Sequence, residues 1–383
     1  MSFKIIIPSN YKGLDRYFLG SGDEMHYGNV SLQTLAFQDD IARMARNVNE
    51  AVAGNIKMDS MMKEKQLEVH PDKTGYIVLG SRTFKESVER ASSETPIMFG
   101  NIVTQSKTMD KYLGDMIHMD GLSASIDATI DDRAGKIKAS MYEVAAIVED
   151  FRMQAVGGLR SAWDLWNLTI VPSLLSNCGV WTEMEEKSMD RLEEMQNSFI
   201  RRVLQVPVST PKVSLRSETG LLSMKLRIWK EKIRMVLAIK EMDSRFLARQ
   251  IYEEQKRNDW PGLAKEVKEI CGIVGLPNAN RVDVTNMQVD GAIREHNRLV
   301  IRSDMILKYK KLDDLVEEED GMLKDYMRTK NISESRVLFR IRTKMLDLKE
   351  NMNGRYSKVD LNCSACNEDD EAHVIACTGY MLT

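Results

Sequence analysis

The stretch Leu35-Ala36-Phe37-Gln38-Asp39-Asp40-Ile41 decides the fold of the N-terminal part of this chain. A short apolar run leads up to two adjacent aspartates, and a second run rich in apolar residues, 41–44, leads away from them. This pattern is typical of a β-hairpin with a carboxylate pair at its tip. Two carboxylates about 4 Å apart repel each other by roughly 4 kcal/mol at an effective dielectric constant near 20. The pair is therefore either a well-solvated polar turn or a site that binds a divalent cation.

The composition is that of an ordinary globular chain. Of its 383 residues, 43% are hydrophobic and 29% are charged, and the length allows two or three domains with a substantial core. The formal net charge is −3, so any contact with nucleic acid must come from local basic patches. No apolar stretch approaches the length that spans a membrane, and the apolar run at 5–7 is too short for a secretory signal. We expect an intracellular protein, in the nucleus or the cytoplasm, with no membrane partner.

The first 119 residues predict a mixture of strands and helix. Val48, Val52 and Ile56 recur at a spacing of four, which indicates a helix that runs to about residue 65. A Pro-Asp turn at 71–72 then follows a short strand that begins at Leu67, and His70 beside this turn is expected to be exposed. Further strands are predicted at 76–79, 96–99 and 111–117.

From residue 134 onward the pattern changes to successive amphipathic helices. Apolar residues step by three and four along each helix, and the aromatic ones among them are expected in the core and not in a ligand cage. The apolar residues of each helix therefore form one stripe along its surface. Packing of the first three stripes against one another predicts a small helical bundle. We expect Pro172 to interrupt the second helix, a linker at 207–211 and a looser connection at 262–284. The stripes are Ile137, Met141, Val144, Val148 and Phe151; Leu159, Trp163, Trp166 and Ile170; Leu192, Met195, Phe199 and Val203; and Leu222, Leu226, Trp229, Ile233 and Val236.

A carboxylate pair on a tight hairpin suits metal-dependent phosphoryl transfer. Such chemistry needs carboxylates that hold two divalent cations about 3.5–4 Å apart, one to activate the attacking oxygen and one to stabilise the leaving group. A hairpin fixes the direction of the carboxylates and leaves the tip open to solvent. Two aspartates are too few, however, and a third carboxylate on a neighbouring strand is usually required.

The order of the motifs resembles a known family of polymerases. Phe37-Gln38-Asp39-Asp40 is followed by a helix, by Asp72-Lys73-Thr74 and by Lys111-Tyr112-Leu113-Gly114. This series resembles the second half of the palm of a non-LTR retrotransposon reverse transcriptase. The helices at 166–175 and 192–211 resemble the thumb of such enzymes. Gln38 departs from the family, which usually has a small residue before the aspartates.

The resemblance implies roles for three residues. Asp39 would be the principal Mg²⁺ ligand and Asp40 the accessory one, and Lys73 would lie near the phosphates of the incoming nucleotide, with an ordinary structural role as the alternative for this lysine. The family carries a further catalytic aspartate and a Gln-Gly block upstream, and neither is found in residues 1–31. We therefore expect that the fingers and half of the palm are missing, and that the chain does not polymerise DNA without that N-terminal half as a partner.

The C-terminal tail contains a pattern of metal ligands. Three of the five cysteines lie in the last 21 residues, and Cys363, Cys366, His373 and Cys377 form the spacing C-x2-C-x6-H-x3-C. In a reducing compartment this spacing favours one tetrahedral Zn²⁺ over disulfides, with a chance cluster as the alternative. The resembled family often carries a Cys-Cys-His-Cys knuckle after the thumb, commonly with four residues before the last cysteine. Cys178 and Cys271 stand alone and are expected to be buried thiols.

A basic segment precedes this tail. Residues 336–358 contain seven Lys or Arg against two Asp or Glu, a local net charge of +5. Basic residues that alternate with apolar ones suit a surface that tracks an RNA or DNA backbone, and a solvated face of an amphipathic helix is the alternative. The candidate contacts are Arg336, Arg340, Arg342 and Lys344.

Together these patterns predict an α+β fold. The expected segments are a partial palm at 1–119, a helical thumb at 120–206, a helical linker region at 207–350, and a basic segment with the zinc knuckle at 351–383. The predicted function is that of a fragment of an RNA-directed DNA polymerase, which joins nucleotides to a primer by two-metal nucleotidyl transfer and binds an RNA template and a DNA primer or target. The alternative is a non-catalytic, zinc-dependent RNA- or DNA-binding protein that retains the same scaffold.

Overall fold

Short strands dominate the start of the chain and helices dominate the rest. A computed structural model describes residues 2–8, 25–27, 30–32, 34–37, 40–150, 158–308 and 321–343. This part of the chain is mostly helical with few short strands, which is compatible with the predicted α+β class. None of its helices is both long enough and apolar enough to cross a membrane.

The strands of the described residues form one larger sheet and three small hairpins. The five-stranded sheet has the order β4-β5-β1-β6-β9, and the other strands pair as β2 with β3, β7 with β8 and β10 with β11. The strands are β1 (Ser2–Pro8), β2 (Met25–Tyr27), β3 (Val30–Leu32), β4 (Thr34–Phe37), β5 (Asp40–Met44), β6 (Gly75–Leu79), β7 (Met98–Phe99), β8 (Ile102–Val103), β9 (Gln105–Ser106), β10 (Met109–Tyr112) and β11 (Asp115–His118).

The helices of the described residues vary widely in length. A π-helical turn covers Trp166–Ile170, and short 3₁₀ turns cover Pro71–Lys73 and Cys178–Val180. The α-helices are α1 (Val48–Glu64), α2 (Arg82–Glu94), α3 (Leu122–Asp150), α4 (Gly158–Leu165), α5 (Val171–Leu174), α6 (Glu186–Leu204), α7 (Lys212–Thr219), α8 (Met224–Glu241), α9 (Leu247–Asn258), α10 (Leu263–Ile273), α11 (Asn286–Lys308), α12 (Tyr326–Thr329) and α13 (Ile332–Arg342).

The chain forms two compact units, each assembled from three stretches, whereas the sequence predicts four consecutive segments. The first unit comprises residues 1–135, 176–189 and 228–289, and the second comprises 136–175, 190–227 and 290–383. Helices α3, α6, α8 and α11 each contribute residues to both units.

The core of the first unit lies between the sheet and helices α1 and α2. Ile41 of β5 and Tyr76 and Val78 of β6 pack there with apolar residues of both helices. Helix α1 has the predicted range, but its buried face differs from the predicted one. Val48 and Ala51 are buried, whereas Ile56 is 63% exposed, because the helix follows a three-and-four spacing and not a repeat of four.

The core of the second unit contains apolar residues of helices α3, α4 and α6. Ile137, Val144 and Val148, Leu159 and Trp163, and Leu192, Phe199 and Val203 are buried, whereas Met141 and Met195 are partly buried. The rings of Trp166 and Phe199 stack with their centroids 4.5 Å apart. Trp163 meets the same phenylalanine edge-on at 6.1 Å. Trp163, Trp166 and Phe199 are therefore core residues, as expected, and Phe151 lies outside the described residues.

Four local predictions are wrong. Residues 111–117 form the β10–β11 hairpin and not one strand, because Leu113 and Gly114 adopt positive φ angles of 49° and 88° and reverse the chain. The predicted loose connection contains helix α10, whose buried residues Val267, Ile270 and Cys271 follow a helical spacing. Pro172 is the second residue of α5, which follows a π-helical turn, and it ends no helix. No strand begins at Leu67.

Candidate functional site

The carboxylate pair lies at the connection between β4 and β5. The two strands are antiparallel and Phe37 pairs with Asp40, so Gln38 and Asp39 alone join them. This register is that of the predicted hairpin. Asp40 is the first residue of β5, and Asp39 lies outside the described residues.

The strands beside Asp40 supply no further carboxylate. On one side β5 pairs in parallel with β1, where Ser2 is the partner of Asp40. Strand β1 has the sequence SFKIIIP, and β4 on the other side has the sequence TLAF. Two Mg²⁺ ions in a nucleotidyl-transfer site need more carboxylates than two. Strands β1 and β4 therefore do not add the third carboxylate that a two-metal site requires.

Lys73 lies at the same edge of the sheet as Asp40. Strand β1 runs between β5 and β6 and is parallel to both, with Ser2 opposite Asp40 and Lys4 opposite Gly75. Lys73 precedes Gly75, the first residue of β6, by two residues, so it lies near the same end of the sheet as Asp40. The side chain of Lys73 is exposed on the Pro71–Lys73 turn.

A polar cavity beside the start of α1 contains cations that the sequence analysis missed. It has a volume of about 490 Å³, and Arg43, Arg46 and Lys57 line it together with Glu50. Arg43 donates from Nη1 to the carbonyl oxygens of Glu50 at 3.2 Å and Ala51 at 3.3 Å. Burial lowers the pKa of Arg43, and the carboxylate of Glu50 opposes that shift. An arginine between the apolar residues Ala42 and Met44 was the available signal.

Only part of the basic segment on α13 is exposed at the surface. Arg336 is 4% exposed, and its Nε and Nη2 both donate to the carbonyl oxygen of Val203, so the prediction of a surface contact by Arg336 is wrong. Arg340 is partly exposed and donates to the carbonyl oxygen of Gln205 at 2.7 Å. Arg342 pairs with the buried Glu218 at 2.9 Å. Lys344 lies outside the described residues.

The predicted zinc ligands Cys363, Cys366, His373 and Cys377 lie outside the described residues. Within the described ranges no group of three or more His, Cys, Asp or Glu side chains is arranged to hold a metal ion. Cys178 and Cys271 are both buried free thiols, as predicted. Burial raises the pKa of Cys178 to about 12, and the nearby carboxylate of Glu231 adds to this effect.

Comparison with known proteins finds no match for this chain among protein-family models, curated proteins or solved structures.

Proposed function

We propose that this chain is a nucleic-acid-binding protein related to the reverse transcriptases of non-LTR retrotransposons. Its β4–β5 hairpin binds a divalent cation through Asp39 and Asp40, and the chain alone does not polymerise DNA. The pairing of Phe37 with Asp40 carries this proposal. In this register only Gln38 and Asp39 connect the two strands, so Asp39 and Asp40 are adjacent at the tip of a tight hairpin, as the proposed cation site requires.

Cation binding at the hairpin follows from electrostatics. Adjacent carboxylates destabilise each other unless solvent or a cation screens them, and oxygen ligands are those that Mg²⁺ prefers. When bound, the cation would polarise the phosphate oxygens of a nucleic acid. Lys73, at the same edge of the sheet, supplies a positive charge that a phosphate can approach.

The proposed lack of activity follows from the neighbours of Asp40. A third carboxylate would have to come from the strand beside β5, and at that level β1 offers Ser2 and then Phe3 and Lys4. The proposed capacity of the chain itself is therefore binding of an RNA template or a DNA primer, through Lys73, Arg340 and the Zn²⁺ ligands of the tail. RNA-directed DNA synthesis remains the reaction of a complete site, assembled with a partner that supplies the missing carboxylate.

Mn²⁺ binding and primer extension test the cation site. We expect D39A and D40A to abolish one Mn²⁺ site detected by electron paramagnetic resonance, while D72A, which removes an exposed aspartate one residue from Lys73, leaves it intact. Primer extension on an RNA template with Mg²⁺ should yield no product. Template-dependent synthesis that D39A abolishes would overturn the proposed inactivity, and unchanged Mn²⁺ binding in D39A would overturn the site.

The salt dependence of RNA binding tests the nucleic-acid contact. If Arg340 contacts a phosphate, R340A should reduce the slope of log K against log salt concentration by about 0.7 to 0.9. An exposed arginine of the first unit, Arg82, gives a matched control, because its side chain is 92% exposed and R82A should leave the slope unchanged. Equal slopes for the wild type and R340A would remove Arg340 from the interface.

The second candidate is a non-catalytic, zinc-dependent nucleic-acid-binding protein. Strand β1 favours this candidate, because it has no carboxylate that could complete a catalytic site beside Asp40. A chelator or the C363S variant should then abolish RNA binding, since structural Zn²⁺ supplies on the order of 10–16 kcal/mol to modules of this size. A palm half that carries the third carboxylate, added in trans, separates the two candidates. Restored synthesis that needs Asp39 and Asp40 favours the first, and binding without synthesis favours the second.

A further inference from the structure

An apolar cavity of about 850 Å³ lies in the first unit. Met44 and Leu79 line it, and these residues point away from the face on which Ile41 and Val78 pack against α1 and α2, because side chains alternate along a strand. Strand β11, the start of α2 and the first turns of α3 supply most of the remaining wall. The cavity therefore lies on the face of the sheet opposite the helical core.

The walls suit an apolar ligand. Met116, Met119, Ile126 and Trp181 contribute apolar or polarisable surface, and Trp181 is 3% exposed. Pockets that hold small organic molecules have volumes of roughly 300–1,000 Å³ and are lined mainly by such side chains. Methionine also adapts its conformation to the shape of a ligand. The volume is thus that of a binding site and exceeds that of a packing defect.

One cation is held inside the mouth of this cavity. The side chain of Lys85 is 14% exposed, and its Nζ donates to Asp120 Oδ1 at 2.7 Å. Asp120 is 62% exposed, so water screens its charge more than that of Lys85. The other acidic lining residue, Asp115, is compensated, since Arg133 Nη2 lies 2.8 Å from its Oδ1 and Asn177 donates to its Oδ2 at 2.9 Å.

This arrangement leaves donors for an acidic ligand. An ammonium group has three N–H donors, and Asp120 accepts one of those of Lys85. Arg82, also at the mouth, pairs with Glu86 at 2.8 Å, so the attraction for an anion comes from the two remaining N–H donors of Lys85. A carboxylate or sulfonate placed at Lys85 would accept a charge-assisted hydrogen bond while its apolar part enters the cavity.

We propose that this cavity binds an amphipathic monoanion, a small molecule with an apolar body and one acidic group that accepts a hydrogen bond from Lys85. The site includes Met44, at the opposite end of β5 from Asp40, and does not depend on the carboxylate pair or on nucleic-acid binding. No covalent step is involved.

The fluorescent probe 1-anilinonaphthalene-8-sulfonate tests the proposal on the full chain, since it is an apolar monoanion of suitable size. Its neutral analogue N-phenyl-1-naphthylamine lacks the acidic group. We expect one site for the anionic probe, and binding that is at least about tenfold weaker in K85M, because a charged hydrogen bond is lost. D120N should bind the anionic probe more tightly, because it removes the competing carboxylate.

Two controls separate this site from other apolar surface. K63M removes the lysine of an exposed Lys–Asp pair of similar length, 2.6 Å, and should leave the affinity unchanged. L122W adds bulk at a partly exposed lining residue and should block both probes, with thermal unfolding used to show that the variant folds. Absent binding, or binding that L122W leaves unchanged, would overturn the cavity as a site. Equal affinities for the two probes, or no effect of K85M, would overturn the acidic group as part of the ligand.

Discussion

Arg336 donates from Nε and Nη2 to the carbonyl oxygen of Val203, at 2.9 and 2.8 Å. Val203 lies in the last turn of α6, where helix carbonyls have no partner within the helix, and the guanidinium adds a positive charge at the negative end of the helix dipole. This arginine therefore joins α13 to the end of α6 inside the second unit.

Replacing Arg336 should reduce the free energy of unfolding of the protein as well as its positive charge. We expect R336M to lower the free energy of unfolding by about 2–3 kcal/mol, because it leaves a buried carbonyl oxygen without a donor. R340M, at a partly exposed residue with a single bond to Gln205, should cost less than about 1 kcal/mol. Urea titrations of both variants measure the difference. Equal stabilities would show that the Val203 contact contributes little.

Arg342 should also be needed for stability, because it neutralises Glu218. The carboxylate of Glu218 is buried, and it accepts from Arg342 Nε at 2.9 Å and from the hydroxyl of Tyr326 at 2.8 Å. R342A removes the cation from a buried pair and should cost about 3 kcal/mol. The double variant R342A/E218Q should regain part of this loss, since no unpaired charge remains. A double variant that is less stable than R342A by urea titration would refute this explanation.

Gly54 in α1 makes room for Arg43. A β-carbon at Gly54 would lie 1.6 Å from Arg43 Cζ, so G54A must displace the guanidinium from its bonds to Glu50 and Ala51. We expect a loss of about 1 kcal/mol in the wild type, and a gain of about 1 kcal/mol in an R43A background, where alanine only improves helix propensity.

Gly135 in α3 provides the matched control for the substitution at Gly54. It is exposed, and a β-carbon there meets no atom within 4 Å, so G135A should stabilise the protein by about 0.5–1 kcal/mol. Thermal and urea unfolding of the wild type, G54A, R43A and the double variant R43A/G54A measure the coupling between Arg43 and Gly54. A stabilising G54A in the wild type would show that the guanidinium moves aside at no cost.

Cys178 should be unreactive in the folded protein. Its pKa of about 12 leaves a thiolate fraction on the order of one in ten thousand at pH 8. Labelling with a thiol reagent, mapped by mass spectrometry, should modify Cys178 only after unfolding in urea. Rapid labelling in the absence of denaturant would contradict the buried position.

The same thiol predicts the direction of a pH effect. Its pKa is raised in the folded state from the ordinary value of 9.0. The unfolded chain therefore loses this proton first as the pH rises, and the stability contribution, fully present below pH 9, is lost between pH 9 and about 12. C178A should show a smaller decline in unfolding free energy over this interval than the wild type.

Local patterns in the sequence determined helices α1, α3, α4, α6 and α8, and the register of the β4–β5 hairpin. A stripe at a spacing of three and four, or a short connection between apolar runs, acts over a few residues and needs no distant partner. Helix α2 was not predicted, although Phe84, Val88 and Ala91 give it a packed face. Its start after Gly80 and Ser81 was the available signal.

Tertiary structure alone decided which residues meet at the candidate sites. The insertion of β1 between β5 and β6, which brings Asp40 and Lys73 to one edge, joins segments more than 30 residues apart. The burial of Arg336 depends on Val203, 133 residues away along the chain. Charge and hydropathy patterns identify a basic segment, but whether a cation faces solvent or a helix carbonyl depends on packing between distant elements, which no local pattern encodes.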